Sequence, residues 1–185
     1  MKLPGEHMAR PRTIDRESVL DSAEKLVQRQ GAAALTLDAV ARAAGITKGG
    51  LQYCFGSKDD LITALIDRWI AGFDAQVARH AGPNPTPGAR AAAYVMACSQ
   101  SDATTHARMV GMLVTLLQSP RHLQRVRDWY AGWFHDCMPD SEAGRRAGTA
   151  IFAAEGAFFL RCLGFVEMDG AQWQNVFANF LKLAS

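Results

Sequence analysis

The stretch GITKGGLQYCFGSKDDL, Gly45 to Leu61, decides how this chain is read. Gly45 closes one helix and Ile46 fills a tight corner. Thr47 caps a short helix over about Lys48–Phe55. Ser57 caps the next, with Asp59 and Asp60 in its first turn, where the positive end of the helix dipole favours acidic side chains. Two adjacent glycines, Gly49 and Gly50, sit near the start of the short helix. A glycine inside a helix costs about 1 kcal/mol relative to alanine, so a pair of them asks for an offsetting role.

Working outward, Val19, Ala23, Leu26 and Val27 recur at helical spacing and predict a helix over about Ile14–Gln30, capped by Thr13 and stopped by Gly31. Thr36 caps a second helix with Leu37, Val40, Ala41 and Ala44 on its inner face. Ala41 is small where two helices must cross, Gly45 can take the turn, and Ile46 and Leu51 plug the pair together. That is helix-turn-helix spacing. Downstream, Leu61, Leu65, Ile66, Trp69, Ile70, Phe73 and Val77 predict a long helix ending near Ala81. The proline-rich GPNPTPG, Gly82–Gly88, must break it. Five more helical stretches follow, over about 89–100, 104–118, 121–138, 142–163 and 171–183. The expected fold class is all-α, about nine helices, with a three-helix head and a helical body.

Composition narrows the functional classes. The chain has 185 residues, 49% hydrophobic and 21% charged, enough to fill a core. The net charge of +2 is uneven: residues 1–58 carry +3 and residues 59–185 carry −1. A mildly basic head is compatible with nucleic-acid contact without requiring it. Cys54, Cys98, Cys137 and Cys162 are far apart, and none has a histidine at metal-ligand spacing, so free thiols are expected and no metal or cofactor. Residues 1–12 lack the apolar run of a signal peptide and read as a flexible arm. The uncharged run Met109–Pro120 is too short to span a bilayer, so a cytoplasmic chain without membrane contact is expected. His7, His80, His106, His122 and His135 stand in no catalytic motif, and no catalytic residue is assigned.

On Gly31, Thr36, Val40, Ala41, Ala44, Gly45, Thr47, Lys48, Gly49, Leu51, Phe55, Ser57, Lys58 and Leu61, the segment from Thr13 to Trp69 resembles the DNA-binding domain of the tetracycline-repressor (TetR) family. The resemblance implies a DNA-binding domain over 13–58 and a ligand-binding and dimerisation domain over 59–185. It implies a homodimeric repressor of a palindromic operator on double-stranded DNA, released by a small hydrophobic effector. A transcriptional activator or a ligand-independent DNA-binding regulator remains an alternative, and a helical small-molecule-binding or enzymatic domain a remote one.

For the short helix as DNA reader, Gly49 and Gly50 would let the backbone approach the groove closely. Lys48 and Gln52, four apart, share a face that avoids Leu51 and Phe55; they would reach base edges, or Lys48 a phosphate. Thr36, Thr47, Tyr53 and Lys58 would hold phosphates. Many family members carry Tyr where this chain has Gln52 and His where it has Cys54, so the phosphate-holding tyrosine is either Tyr53 or lost. Cys54 reads as a small packing residue before a redox switch. In the body, Met96, Met109, Met112, Leu116, Trp129, Trp133 and Phe159 are candidate pocket residues. His106, Arg108, Gln118 and Glu155 are the polar groups available to orient a ligand. Phe152, Gly156, Phe158, Trp173 and Phe177 are candidates for a dimer surface on the last two helices, with an intramolecular helix contact as the alternative.

Overall fold

Side-chain caps set where most of the helices begin. The computed structural model describes residues 14–116, 119–137 and 140–184. Helix α1 (Arg16–Gln30) starts at Asp15, whose carboxylate accepts from the Glu17 N–H at 3.1 Å. The expected arm over 1–12 and the expected cap Thr13 lie outside the described residues. After Gly31 a 3₁₀ turn, Ala32–Ala34, intervenes, which hydrophobic periodicity does not reveal. Thr36 then accepts from Ala39 N–H at 3.2 Å to open α2 (Leu37–Ala43), and Thr47 accepts from Gly50 N–H at 3.0 Å to open α3 (Lys48–Phe55). Ser57 accepts from Asp60 N–H at 3.1 Å to open α4 (Lys58–Ala81). The corner between α2 and α3 turns at Gly45, with φ of 66°, a conformation that a Cβ disfavours.

The body follows as α5 (Pro87–Ser99), α6 (Ala103–Leu116), α7 (Pro120–Cys137), α8 (Glu142–Cys162) and α9 (Gly170–Ala184). The fold is all-α: a helix-turn-helix head and a helical body, with no strand among the described residues. Two prolines act as helix openers rather than breakers. Pro87 and Pro120 each stand at the first residue of their helices, where the missing N–H costs nothing.

Two apolar cores form. The head core joins Val19 and Ala23 of α1, Val40 and Ala41 of α2, Leu51 and Phe55 of α3, and Leu61, Leu65 and Ile66 of α4. The body core is built on close-packed small residues, Ala91 and Ala97 of α5 against Ala147, Ala150 and Ala154 of α8, with Tyr94, Trp133, Trp173 and Phe177 filling the gaps. Helix α4 belongs to both: its first half is a wall of the head core and Val77, near its end, belongs to the body core. Helix α6 also reaches the head. A Cβ added to Gly111 would meet Val27 Cγ1 at 2.5 Å, so the absence of a side chain there is what lets α6 lie on α1.

The paired glycines of α3 differ. A Cβ on Gly49 would meet nothing within 4 Å, whereas one on Gly50 would come within 2.6 Å of Ile14 Cδ1 and 3.2 Å of Thr47 Oγ1. Clearance for DNA, expected of both, fits Gly49 alone; Gly50 is small because it faces the start of the chain's own first helix. Replacing Gly49 with alanine should therefore raise stability by about 0.5–1 kcal/mol through helix propensity. Gly50→Ala should gain little or nothing, since the Ile14 side chain must move. Leu51→Ala should cost about 2–5 kcal/mol, because Leu51 is fully buried at the meeting of the head helices. Chemical denaturation of the three variants checks all three statements.

Candidate nucleic-acid interface and body cavity

The outward face of α3 carries polar side chains on a rigid support. Leu51 and Phe55 anchor the helix inward, which leaves Lys48, Gln52 and Tyr53 exposed. Tyr53 is 92% exposed, an unusual position for a large aromatic ring. Lys48 Nζ lies 3.1 Å from the Asp38 carboxylate on α2, with both side chains more than half exposed. A surface pair of this kind is worth at most about 1 kcal/mol, so Lys48 can exchange Asp38 for a phosphate or a base at little cost. Thr36 and Thr47 are exposed, and each holds a helix N-terminus whose backbone N–H groups point outward. Lys58, half-buried, is the first residue of α4.

Arg16 escaped the sequence reading. Its guanidinium donates to the Cys54 carbonyl at 2.6 Å and lies over the Phe55 ring at 4.2 Å, tying the start of α1 to the end of α3. An arginine beside acidic residues on an exposed helix gives no periodic signal. Cys54 itself is half-buried against the head core, the packing role expected of it.

A cavity of about 390 Å³ lies where the head meets the body. Helix α4 supplies Trp69 and Phe73, α6 supplies Met109, α7 supplies Trp129 and Tyr130, and α8 supplies Glu155 and Phe158. Of the expected pocket residues, Met109 and Trp129 line it. Leu116 does not: it is buried in the head core. Trp133 is buried in the body core, under the Arg90 guanidinium at 4.6 Å, and borders a separate, shallower groove. Met96 and Phe159 are half-buried and absent from the lining, and the side chain of Met112 lies outside the described ones. These corrections share one cause: helical spacing tells that a residue faces inward, not which of two interiors it meets.

Electrostatics single out Glu155. Burial pushes its carboxyl above the usual range, and hydrogen bonds from Tyr94 and Tyr130 offset part of that cost. The Tyr94 hydroxyl donates to Oε1, while Oε2 is buried with no hydrogen-bond partner among the described residues. Burial raises the Cys98 thiol well above its ordinary value, and pushes Cys162 up to about 12, so both stay protonated. Of the other polar candidates, His106 is paired with Ser101 at 3.0 Å outside this lining. Gln118 and the Arg108 side chain lie outside the described residues.

The cavity reaches the head through hydrogen bonds. Trp69 Nε1 donates to Glu24 of α1 at 2.7 Å, and Arg68 of α4 pairs with Glu17, Asp21 and Glu24 of α1. Its hydrogen bond to Asp21 holds that carboxyl below its usual range. On the other side of α4, Asp74 accepts from Trp129 Nε1 at 3.0 Å and from Trp133 Nε1 at 3.2 Å.

The dimer candidates divide. Phe158, Trp173 and Phe177 are at most 6% exposed, so their rings are spent inside the protomer; Phe158 lines the cavity instead. The intramolecular alternative holds for these three. Phe152 is 58% exposed and Gly156 opens to empty space on the same outer face of α8. Leu160 and Leu163 continue that stripe, which spacing alone cannot separate from the inner one.

Among the described residues no group of His, Cys, Asp and Glu could hold a metal ion, and no helix is long and apolar enough to cross a membrane. No curated protein matches the chain by sequence. Solved structures share its fold. A protein from Rhodococcus sp. described as a TetR-family transcriptional regulator superposes with a TM-score of 0.75 at 14% identity, over 92% of this chain and 98% of that one. A TetR transcription regulator from Haloarcula marismortui gives 0.73 at 15% identity, over 91% and 95%. The multidrug-binding protein EbrR complexed with malachite green gives 0.69 at 20% identity, over 91% and 96%. The family model for bacterial regulatory proteins of the tetR family matches residues 19–65, and that for the tetracyclin repressor-like C-terminal domain matches residues 88–185, more than half of the chain. A helix-turn-helix head carrying an exposed α3, joined to a body of this family's own pattern, makes the chain a member of the TetR family of bacterial transcriptional regulators, which are DNA-binding factors and not enzymes.

Proposed function

We propose that the chain is a homodimeric repressor that leaves its operator when a small, largely hydrophobic effector fills the cavity between head and body. The observation that carries this reading is the direct link from cavity to head. Trp69 lines the cavity and donates to Glu24, a buried residue of α1. An effector that displaces the Trp69 ring shifts α4 against α1, and with it the angle of the head. By linkage it releases DNA only to the extent that it binds the shifted state better. EbrR, of the same fold, has been solved with malachite green and with imidazole, which supports a small-molecule occupant here.

Two copies related by a twofold axis would present their α3 helices to successive major grooves, roughly 34–36 Å apart, on a palindromic site. Lys48 and Gln52 are the base readers in this account. Gly49 gives clearance, and Thr36, Thr47, Tyr53 and Lys58 hold phosphates. Gly50 is left out, since its packing against Ile14 explains it. The dimer surface is the outer face of α8, with Phe152 and Gly156 at its centre.

Selection of bound sequences from random DNA, repeated with candidate effectors, tests the proposal. A palindromic consensus that disappears with an effector supports repression by release; retained binding with altered transcription supports an activator. Lys48→Ala and Tyr53→Ala should each weaken operator binding by about tenfold or more. Lys48→Ala should also reduce the salt dependence by about one counterion if its ammonium holds a phosphate, whereas Tyr53→Ala, which removes no charge, should leave the salt dependence unchanged. Wild-type affinity in both would remove α3 as the reader. Phe152→Glu or Gly156→Arg should convert the dimer to monomers in sedimentation while leaving the helical content unchanged.

A further inference from the structure

Glu155 is the unusual member of a largely aromatic cavity whose other polar lining residues are Glu24, Arg68, Gln76 and Thr105. Trp69, Phe73, Trp129, Tyr130 and Phe158 supply aromatic walls; Tyr94 and Tyr130 bond the Glu155 carboxyl, yet its Oε2 is buried with no hydrogen-bond partner among the described residues. The other charges on the wall are already matched: Arg68 lies 3.5 Å from Glu24, and Glu24 also accepts from Trp69. Asp74, behind the wall, is held by two indole N–H groups, which also fixes the Trp129 ring. Among the described residues, no cation is paired with Glu155.

We infer that the effector is a lipophilic organic cation, its aromatic or alkyl body on the ring walls and its positive charge against Glu155. This rests on the effector cavity proposed above and names the class of ligand. A buried, unpaired carboxyl oxygen is unfavourable in the empty protein. A cation relieves it and also gains the attraction of ring faces for positive charge. A neutral ligand leaves Oε2 unpaired, and an anion meets Glu155 and Glu24 together.

Charge pairing also sets a pH dependence. The groups facing Glu155 are Tyr94 and Cys98 of α5, Tyr130 of α7 and Cys162 of α8, with Glu24 of α1 and Arg68 of α4 across the cavity; His106 of α6 is turned to Ser101. Tyr94, Cys98, Tyr130 and Cys162 all have raised values and stay neutral near neutral pH. Glu155 is therefore the group whose ionisation governs cation uptake. Its burial raises its own titration, so affinity for a cation increases with pH as the carboxyl loses its proton.

The test uses two probes of the same shape that differ in charge, phenyltrimethylammonium and tert-butylbenzene. Binding is followed by tryptophan fluorescence, with Trp69 and Trp129 on the cavity wall as reporters. The cation should bind the wild-type protein at least about tenfold more tightly than its neutral twin. That preference should grow as the pH rises above the ordinary carboxylate range, while the affinity of the neutral probe stays flat. Glu155→Gln keeps an acceptor for Tyr94 and should erase both the preference and its pH dependence without weakening tert-butylbenzene. If that variant does not fold, the wild-type comparison and its pH profile decide alone. Equal or tighter binding of the neutral probe overturns the cation inference and leaves the effector cavity standing. Binding of neither probe overturns both, while the DNA-binding reading, tested separately by sequence selection, is untouched.

Discussion

Helix α4 has to satisfy two hydrophobic cores at once, and the rest of the molecule is arranged around that demand. It has 24 residues, a rod of about 36 Å. Leu61, Leu65 and Ile66 are buried with the head, and Val77 is buried with the body. A rod shared in this way cannot tilt without disturbing both ends. Its sides are held too. Arg68 reaches three acidic residues of α1, while Asp67 pairs with Arg125 of α7 at 2.5 Å and Asp74 receives the two indoles. The exposed pairs contribute little to stability.

The cavity lies at this seam because the two cores do not merge. Around it the molecule accepts a local loss of stability: a buried carboxyl whose second oxygen is unpaired. A chain selected for stability alone would fill the space and remove the charge. Placing such a group beside the Trp69–Glu24 hydrogen bond puts the least satisfied part of the body next to the joint that orients the head. Gly111 serves the same joint from the other side, since the absence of a side chain there seats α6 directly on α1.

The head was legible because its signals are local. Thr36, Thr47 and Ser57 cap helices through hydrogen bonds to N–H groups three residues on, and Gly45 turns the corner with its own backbone. Such rules act within a few residues and survive any tertiary context. Arg16 over Phe55 and Gly50 against Ile14 act across 36 residues or more of chain, and no spacing rule reports them. The body was harder for a related reason. Leu116 and Met109 lie on one helix at helical spacing, yet one is buried in the head core and the other lines the cavity.

The sequence by itself determined the α-helices, the caps Thr36, Thr47 and Ser57 and the helix-turn-helix, because capping, glycine geometry and apolar periodicity are short-range. It also determined the family, since so many of those residues fall together in one short segment. The tertiary structure decided which apolar faces meet. It assigned Phe158, Trp173 and Phe177 to the interior of the protomer and left Phe152 exposed. It turned one of two adjacent glycines inward and opened the other to solvent. It also brought Glu155 to a cavity wall without a partner for Oε2. Those outcomes depend on how helices far apart in the chain cross one another, and periodicity along a single helix carries no record of its neighbours.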